Sequence, residues 1–260
     1  MDTLTFDIDG AVARIGLNRP AAGNTINAAM ARDLLEAAVR CEDDARVRAV
    51  LLTGGEDKFC FGGDLKSFHA EGEGIGVLLK QVTIDFHGAV SRLLRMPKPL
   101  VVAVGGVAAG GGLSLALMGD VVLAADTAKF TLAYTAAGLS PDGGSTYLLP
   151  RLIGLRRTQE LMYTNRTLSA AEAVEWGLIT RAVPADVLMS EADKLVRRLA
   201  AGPTKSYGTV KTLLADTFTN GMETQMMFES DGIARNAAGS DGREGILAFL
   251  EKRAPEFSGK

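Results

Sequence analysis

The stretch Leu100–Asp126, LVVAVGGVAAGGGLSLALMGDVVLAAD, constrains this chain more than any other. An apolar run, Leu100–Val104, meets Gly105 and Gly106. A short loop of small residues then leads to Gly110, Gly111 and Gly112. A compact helical pattern, Leu113–Met118, ends at Gly119, and Asp120 opens a second apolar run, Val121–Ala125. The order reads as strand, glycine loop, helix, strand. Glycines let backbone N–H groups approach a ligand with no Cβ in the way. A helix starting at such a loop aims unpaired N–H groups and its positive dipole end into the space ahead of it. That is a place to stabilise an anion formed during a reaction. Three other readings compete. No charge lies between Lys98 and Asp120, and roughly 20 apolar residues span a bilayer, but glycines break this run and its flanks are amphipathic. No G-x-G-x-x-G register fits, which weakens a dinucleotide site. Close helix–strand packing without chemistry is the third.

A chain of 260 residues permits one large domain, or one domain plus a helical appendage. Its net charge of −3 favours neither nucleic acid nor an anionic membrane as partner. Cys41 and Cys60 form no C-x-x-C pattern, so a reducing compartment is expected. With His69 and His87 as the histidines, a His-rich metal site is excluded. The acidic start MDTLTFDIDG has no signal-peptide core, so a cytoplasmic location is expected.

Leu4–Asp9 and Val12–Leu17 alternate apolar and polar residues about Gly10 and predict a hairpin. Asn27–Cys41 predicts a helix with Met30, Leu34, Ala37 and Ala38 on one face. Val47–Thr53 predicts a buried strand and Gly54–Asp64 a loop. Gly74–Arg95 predicts a helix whose apolar face is Val77, Leu78, Val82, Phe86, Val90 and Leu93, stopped by Pro97 and Pro99. After a short strand at Lys129–Leu132 and a turn-rich loop at Gly138–Gly144, the pattern becomes helical. Leu148–Tyr163, Ser169–Trp176, Asp186–Ala201, Pro203–Asp216, Asn220–Asn236 and Asp241–Arg253 all read as helices. Ser169–Glu172 forms a capping box, and Arg181–Val183 is the strand candidate in this half. Strands alternating with helices imply mostly parallel pairing. The junction between the halves falls in Asn165–Ser190. The division drawn is a core of residues 1–190 and a helical region of residues 191–260.

Two loops, Phe59–Asp64 and Gly105–Gly112, each follow a buried strand. In a parallel sheet both open where ligands bind. Asn18-Arg19-Pro20, RVRAVLLTGG around the Val47–Thr53 strand, FCFGGDL at Phe59–Leu65, KPLVVAVGGVAAGGGLSLAL from Lys98, SPDGGSTYLLPRLIG from Ser140 and DGREGILAFLEKR from Asp241 together resemble the crotonase superfamily, the enoyl-CoA hydratase/isomerase family. The resemblance runs in order along nearly the whole chain. It implies an α/β fold, a crotonase-like spiral of ββα units with a C-terminal helical trimerisation region, and an acyl-CoA thioester substrate. Coenzyme A would be part of the substrate, with no separate cofactor and no metal. The assembly would be a homotrimer or a dimer of trimers.

Carried over residue by residue, the oxyanion donors are the backbone N–H groups of Gly63 and Gly111. One such donor contributes about 2.7–4 kcal/mol to a transition state of this kind. The resemblance places the two glutamates of family hydratases at Ser114 and Tyr134, and neither can act as a carboxylate base. Water addition needs one group to activate water and another to handle the α proton, so ordinary hydration is not expected. The acid left in the right loop is Asp142. Pro-Asp-Gly is also a turn, and an Asp before a helix is also an N-cap. The resemblance nevertheless implies a catalytic aspartate there, as in some dienoyl-CoA and phenylacetate-pathway isomerases and in 4-chlorobenzoyl-CoA dehalogenases.

His87 reads as a helix-face histidine between core positions. The dehalogenases carry a histidine base on the matching helix and an aromatic residue at the Tyr134 position. For coenzyme A, the resemblance implicates Phe61, Asp64, Leu65 and Lys66, and Phe249 and Lys252 from a neighbouring subunit. The lysine that often follows Arg-Pro in the family is Ala21 here, and His69 is assigned no role. The leading expectation is an enoyl-CoA isomerase working through a thioester enolate with Asp142 as shuttle. The alternatives are a hydratase with atypical catalytic residues, a dehalogenase-like enzyme and a non-catalytic acyl-CoA-binding trimer.

Overall fold

Strands β1 (Leu4–Asp9) and β2 (Val12–Leu17) form the expected hairpin, turned at Gly10 with Leu4 opposite Leu17. From β2 onward the sheet is parallel. It continues through β3 (Ala49–Thr53), β4 (Leu100–Val104), β6 (Val121–Ala125) and β9 (Arg181–Val183), in the order β1-β2-β3-β4-β6-β9. A second sheet joins β5 (Val107–Ala109), β7 (Lys129–Thr131) and β8 (Leu168–Ser169). Each pass of the chain, β4 then β5 and β6 then β7, leaves one strand in each sheet before a helix follows. This is the spiral of ββα units. These strands belong to a computed structural model that describes residues 1–55 and 57–260; Glu56, within the expected Gly54–Asp64 loop, lies outside the described residues.

Helices close the large sheet. α1 (Ala28–Asp43) is capped by Asn27, whose side chain accepts from the Met30 N–H, and it packs on α3 (Ile75–Arg95). Met30, Leu34, Ala37 and Ala38 are buried as expected. On α3, Val82, Phe86, Val90 and Leu93 are buried, but Val77 is 64% exposed. It lies in the first turn on the solvent side, where Leu78 and Leu79 pack against the core in its place. Short elements with too few residues to show a period were not foreseen: α2 (Leu65–Ala70), β5 and β8. The single helix expected over Leu148–Tyr163 is two, α5 (Ser145–Leu152) and α6 (Leu155–Thr164). Gly154 separates them in a positive-φ conformation, φ +79, that a helix cannot contain.

α4 (Gly111–Ala116) follows the glycine loop, and α7 (Ala170–Glu175) carries the full Ser169–Glu172 capping box. α8 (Leu188–Ala200) packs on β2, β3, β4 and β6, so it belongs to the core layer. The division drawn at residue 190 therefore falls inside a core helix. Beyond it lie α9 (Thr204–Asp216), α10 (Met222–Ala238) and α11 (Ser240–Leu250). Buried Lys211 anchors α9, donating to Asp120 at 2.7 Å and to the Leu93 carbonyl at 3.1 Å. Buried Lys98 caps the end of α1 through the carbonyls of Cys41, Glu42 and Asp44 at 2.7–3.0 Å. Among the described residues, no helix is long and apolar enough to cross a membrane.

Candidate active site

The loops after β3 and β4 meet at the ends of those strands. Cys60 pairs with Ala108 as an isolated bridge: its N–H donates to the Val107 carbonyl at 3.0 Å, and its carbonyl accepts from Ala109 at 2.9 Å. Asn24, fully buried, holds the first loop from behind. Its amide donates to the carbonyls of Gly54 and Phe59, both at 2.9 Å. The contact leaves no room for side chains. A Cβ at Gly62 would meet the Ala109 carbonyl at 2.8 Å and the Gly111 nitrogen at 3.3 Å; one at Gly112 would meet the Cys60 carbonyl at 2.1 Å. Gly63 and Gly111 thus face the same space from neighbouring loops. Among the described residues neither of their N–H groups donates to a protein acceptor, as fits Gly111 at the first position of α4.

A cavity of about 340 Å³ opens there. Gly63 and Gly111 line one part of it, Phe61, Phe68 and Phe86 make it apolar, and Asp142 lines it too. Asp142 is fixed at both ends. Its backbone carbonyl accepts from the Ser114 hydroxyl at 3.0 Å and from the Ser145 hydroxyl at 2.9 Å. Its carboxylate Oδ1 accepts from the Tyr134 hydroxyl at 2.5 Å. The N-cap of α5 is Gly144, with no side-chain cap bond. Asp142 is therefore not the helix cap that its place in the sequence allows. Burial, reinforced by the Asp142 charge and hydrogen bond, pushes the Tyr134 phenol well above its ordinary pKa of 10.0. Tyr134 is a donor at neutral pH and not a base.

His87 joins the group from α3. Its Nε2 lies 3.6 Å from Asp142 Oδ2 and accepts the Gly143 N–H at 3.1 Å. His87 does not line the cavity, and neither does Ser114. Ser114, expected among the catalytic positions, is a fully buried anchor for the Asp142 backbone. Of the residues implicated in coenzyme A binding, Phe61 and Leu65 line the cavity and are about half exposed. Asp64 does not. Its carboxylate caps α2 through the Ser67 N–H and pairs with Arg19 at 2.9 Å. Lys66 and His69 are exposed and away from the cavity lining. Phe249, 83% exposed, lines a separate recess of the C-terminal region with Ile246, Leu250 and Phe257, and Lys252 is exposed just beyond it. One chain therefore does not bring Phe249 and Lys252 to the cavity.

Two supporting residues escaped the sequence reading. Arg19 and Asn24 set the loop that carries Gly63, and their signal was the Asn-Arg-Pro turn followed by Gly23-Asn24 with Asn24 at φ +53. Among the described residues, no three His, Cys, Asp or Glu side chains group as metal ligands do.

The family model described as Enoyl-CoA hydratase/isomerase matches residues 7–260. A 1,2-epoxyphenylacetyl-CoA isomerase from Escherichia coli K12 is 40% identical over all of both chains. A 4-chlorobenzoyl coenzyme A dehalogenase from Arthrobacter is 32% identical over 93% of this chain and 88% of its own. The crystal structure of an enoyl-CoA hydratase from Polaromonas superposes with a TM-score of 0.93 at 32% identity, covering 98% of this chain and 99% of its own.

Proposed function

This chain belongs to the enoyl-CoA hydratase/isomerase family, and we propose that within it the protein shifts a double bond in an acyl-CoA thioester. The thioester oxygen lies against the Gly63 and Gly111 N–H groups, which stabilise the negative charge that builds on it when a neighbouring carbon loses a proton. Asp142 takes that proton and returns it to another carbon of the acyl chain. The observation that carries this reading is the placement of the Asp142 carboxylate in the same cavity as the two glycines. The positions where the resemblance puts hydratase glutamates hold Ser114 and Tyr134, both hydrogen-bonded to Asp142.

The 340 Å³ cavity exceeds the roughly 150 Å³ that suffices for a benzene ring. With its phenylalanine lining, this supports a ring-bearing or short unsaturated acyl group. The acyl group of the Escherichia coli relative, epoxyphenylacetyl, is of this kind. The exposed apolar residues of α9, α10 and their connection, among them Leu214, Phe218, Met222, Met226 and Ile233, are assigned to subunit contacts in a trimer. That assembly would carry Phe249 and Lys252 to a neighbour's coenzyme A.

The test is a panel of acyl-CoA thioesters in deuterated water, scored for deuterium at the α and γ carbons and for double-bond position. Exchange at both carbons with migration supports the reading. Absence of both exchange and migration, in a protein that binds the thioester, defeats it in favour of a binding protein. A covalent aryl ester on Asp142, formed from a halobenzoyl-CoA, defeats it in favour of the dehalogenase chemistry named for the Arthrobacter relative.

A further inference from the structure

We infer that the two carboxylate oxygens of Asp142 have separate duties: Tyr134 holds Oδ1 still, while Oδ2 exchanges its proton with water through His87. The inference rests on the reading of Asp142 as the base, and adds a route by which the migrating hydrogen is replaced from solvent.

The geometry divides the oxygens. Oδ1 is bonded to a buried phenol that stays protonated, so it keeps an acceptor's role throughout. Among the described residues Oδ2 has no such donor, and it faces His87 Nε2 at 3.6 Å. Because Nε2 accepts the Gly143 N–H, its lone pair is free of a proton and the neutral ring carries its hydrogen on Nδ1. Gly143 can deliver that N–H only as glycine. Its φ is +60, and a Cβ would lie 2.7 Å from Ser114 and 2.8 Å from Phe86.

His87 lies beside the carboxylate but outside the lining of the cavity. Phe86 lines the cavity and His87, one residue on along α3, does not. The His87 side chain is 48% exposed against 31% for Asp142. A base acting on the acyl group must reach it, and His87 does not border that space. It borders the carboxylate and water, the two ends of an exchange path.

The steps balance. The substrate C–H bond breaks, its electron pair passes into the thioester enolate, and the proton forms an O–H bond at Oδ2. Return of that proton to the second carbon completes the shift with the hydrogen retained. Alternatively the Oδ2–H turns to Nε2, displacing the Gly143 N–H. Oδ2–H breaks, Nε2–H forms, and the imidazolium, keeping its Nδ1 proton, releases the Nε2 proton to water that reaches the half-exposed ring. The reverse sequence brings a solvent hydrogen to Oδ2, which then enters the product.

The experiment follows α-protiated substrate in deuterated water at low conversion, and reads deuterium per product molecule together with turnover. His87→Gln places an amide oxygen near Nε2, so it keeps an acceptor for Gly143 but cannot relay a proton. Deuterium per turnover is expected to fall about tenfold or more, the scale of losing a positioned proton-transfer group. In His87→Ala, added imidazole is expected to restore it. Tyr134→Phe removes the bond to Oδ1. Its kcat should fall about tenfold with little change in KM, as for loss of one hydrogen bond to a charged group felt in the transition state. A wild type that shifts the double bond with complete retention of hydrogen overturns the inference, as does unchanged deuterium content in His87→Gln. Both results leave the isomerase reading standing. Absence of any shift in the wild type overturns that reading and this one together.

Discussion

The helix that starts at the cleft, α4, is buried along its whole length, whereas α9–α11 leave most of their side chains outside. Each residue of α4 is buried, from Gly111 to Ala116. α10, nearly three times as long, buries Gly232 alone, and α11 buries Asp241 and Ala248. Phe218, Met222, Ile233 and Leu250 are each about two-thirds exposed or more. Burial of apolar area stabilises by about 25 cal/mol per Å², so the cleft is held by its own packing and the C-terminal helices gain little from theirs. What ties them to the body is polar: Lys211 on Asp120, and Arg48 on the Gly202 and Phe257 carbonyls, while Asp241 of α11 holds the C-terminal tail through the Ser258 and Gly259 N–H groups. The catalytic groups thus sit on a body held by apolar burial, whereas the C-terminal helices depend on a few polar ties. Substitutions at the cleft should change rate with little effect on folding, and substitutions at these ties should do the reverse.

The largest effect expected is in Asp142→Asn. The amide keeps the shape and a partner for Tyr134 but cannot take a proton. Double-bond migration should fall by about 10²–10⁴-fold, the usual contribution of a general base, while thermal stability and thioester binding stay close to wild type. Turnover within a few-fold of wild type would reduce Asp142 to a turn residue. Gly111→Pro comes next. Proline is tolerated at the first position of a helix, so the variant removes one N–H while α4 remains. The added ring meets Ile26 first, at 3.1 Å from the Cβ position. Turnover should fall about 10²–10³-fold. Activity kept in a folded protein would move the oxyanion site elsewhere.

The glycine loop was legible because it is written in composition: no other residue allows the approach of Gly62 to Ala109 or of Gly112 to Cys60. The helix faces of α1 and α3 were legible because a period repeats over several turns. β5, with three residues of small side chain, has no period to read, and Gly154 divides a pattern that remains apolar on both sides. Asp142 was visible as a candidate acid. Its setting was not, since Tyr134, Ser114 and His87 reach it across 8, 28 and 55 residues of chain. Spacing along one helix or strand carries no information about such meetings.

Lys211→Met sharpens the contrast from the other side. Methionine fills the same space without the charge, leaving Asp120 with the Leu100 N–H at 2.7 Å as its remaining partner. Burial already pushes the Asp120 carboxyl above its ordinary range despite Lys211. Breaking a fully buried pair costs about 3–5 kcal/mol. With the Asp120 side chain 32% exposed, about 2–3 kcal/mol is expected. In calorimetry this is a fall in Tm of about 5–10 °C. Turnover per folded molecule well below the melting range should hardly change. A rate loss without a stability loss would show that the C-terminal helices shape the cleft directly.

The smallest effect is expected at Asp64, where the cleft does use a charge for stability. Burial opposes ionisation of this carboxyl, but the bond to Arg19, the Ser67 N–H and the Arg19 charge outweigh it and hold the pKa below 3.8. A carboxyl depressed in the folded state stabilises fully above its unfolded pKa, and that stabilisation is lost as pH falls through the folded value. Asp64→Asn keeps the α2 cap, since asparagine caps as well as aspartate, and removes only the ion pair. The pair is partly buried, with side-chain exposures of 21% and 13%. Its loss should cost about 1–2 kcal/mol, between surface and buried pairs. The wild-type and variant Tm values should therefore differ by a few degrees near neutral pH. The gap should narrow once pH drops below 3.8, because the wild-type carboxyl is then losing the same charge. A gap that stays constant down to the acid limit would assign the Asp64 contribution to packing and leave the Gly63 loop held by Asn24 and the backbone bonds of Cys60 and Ile26.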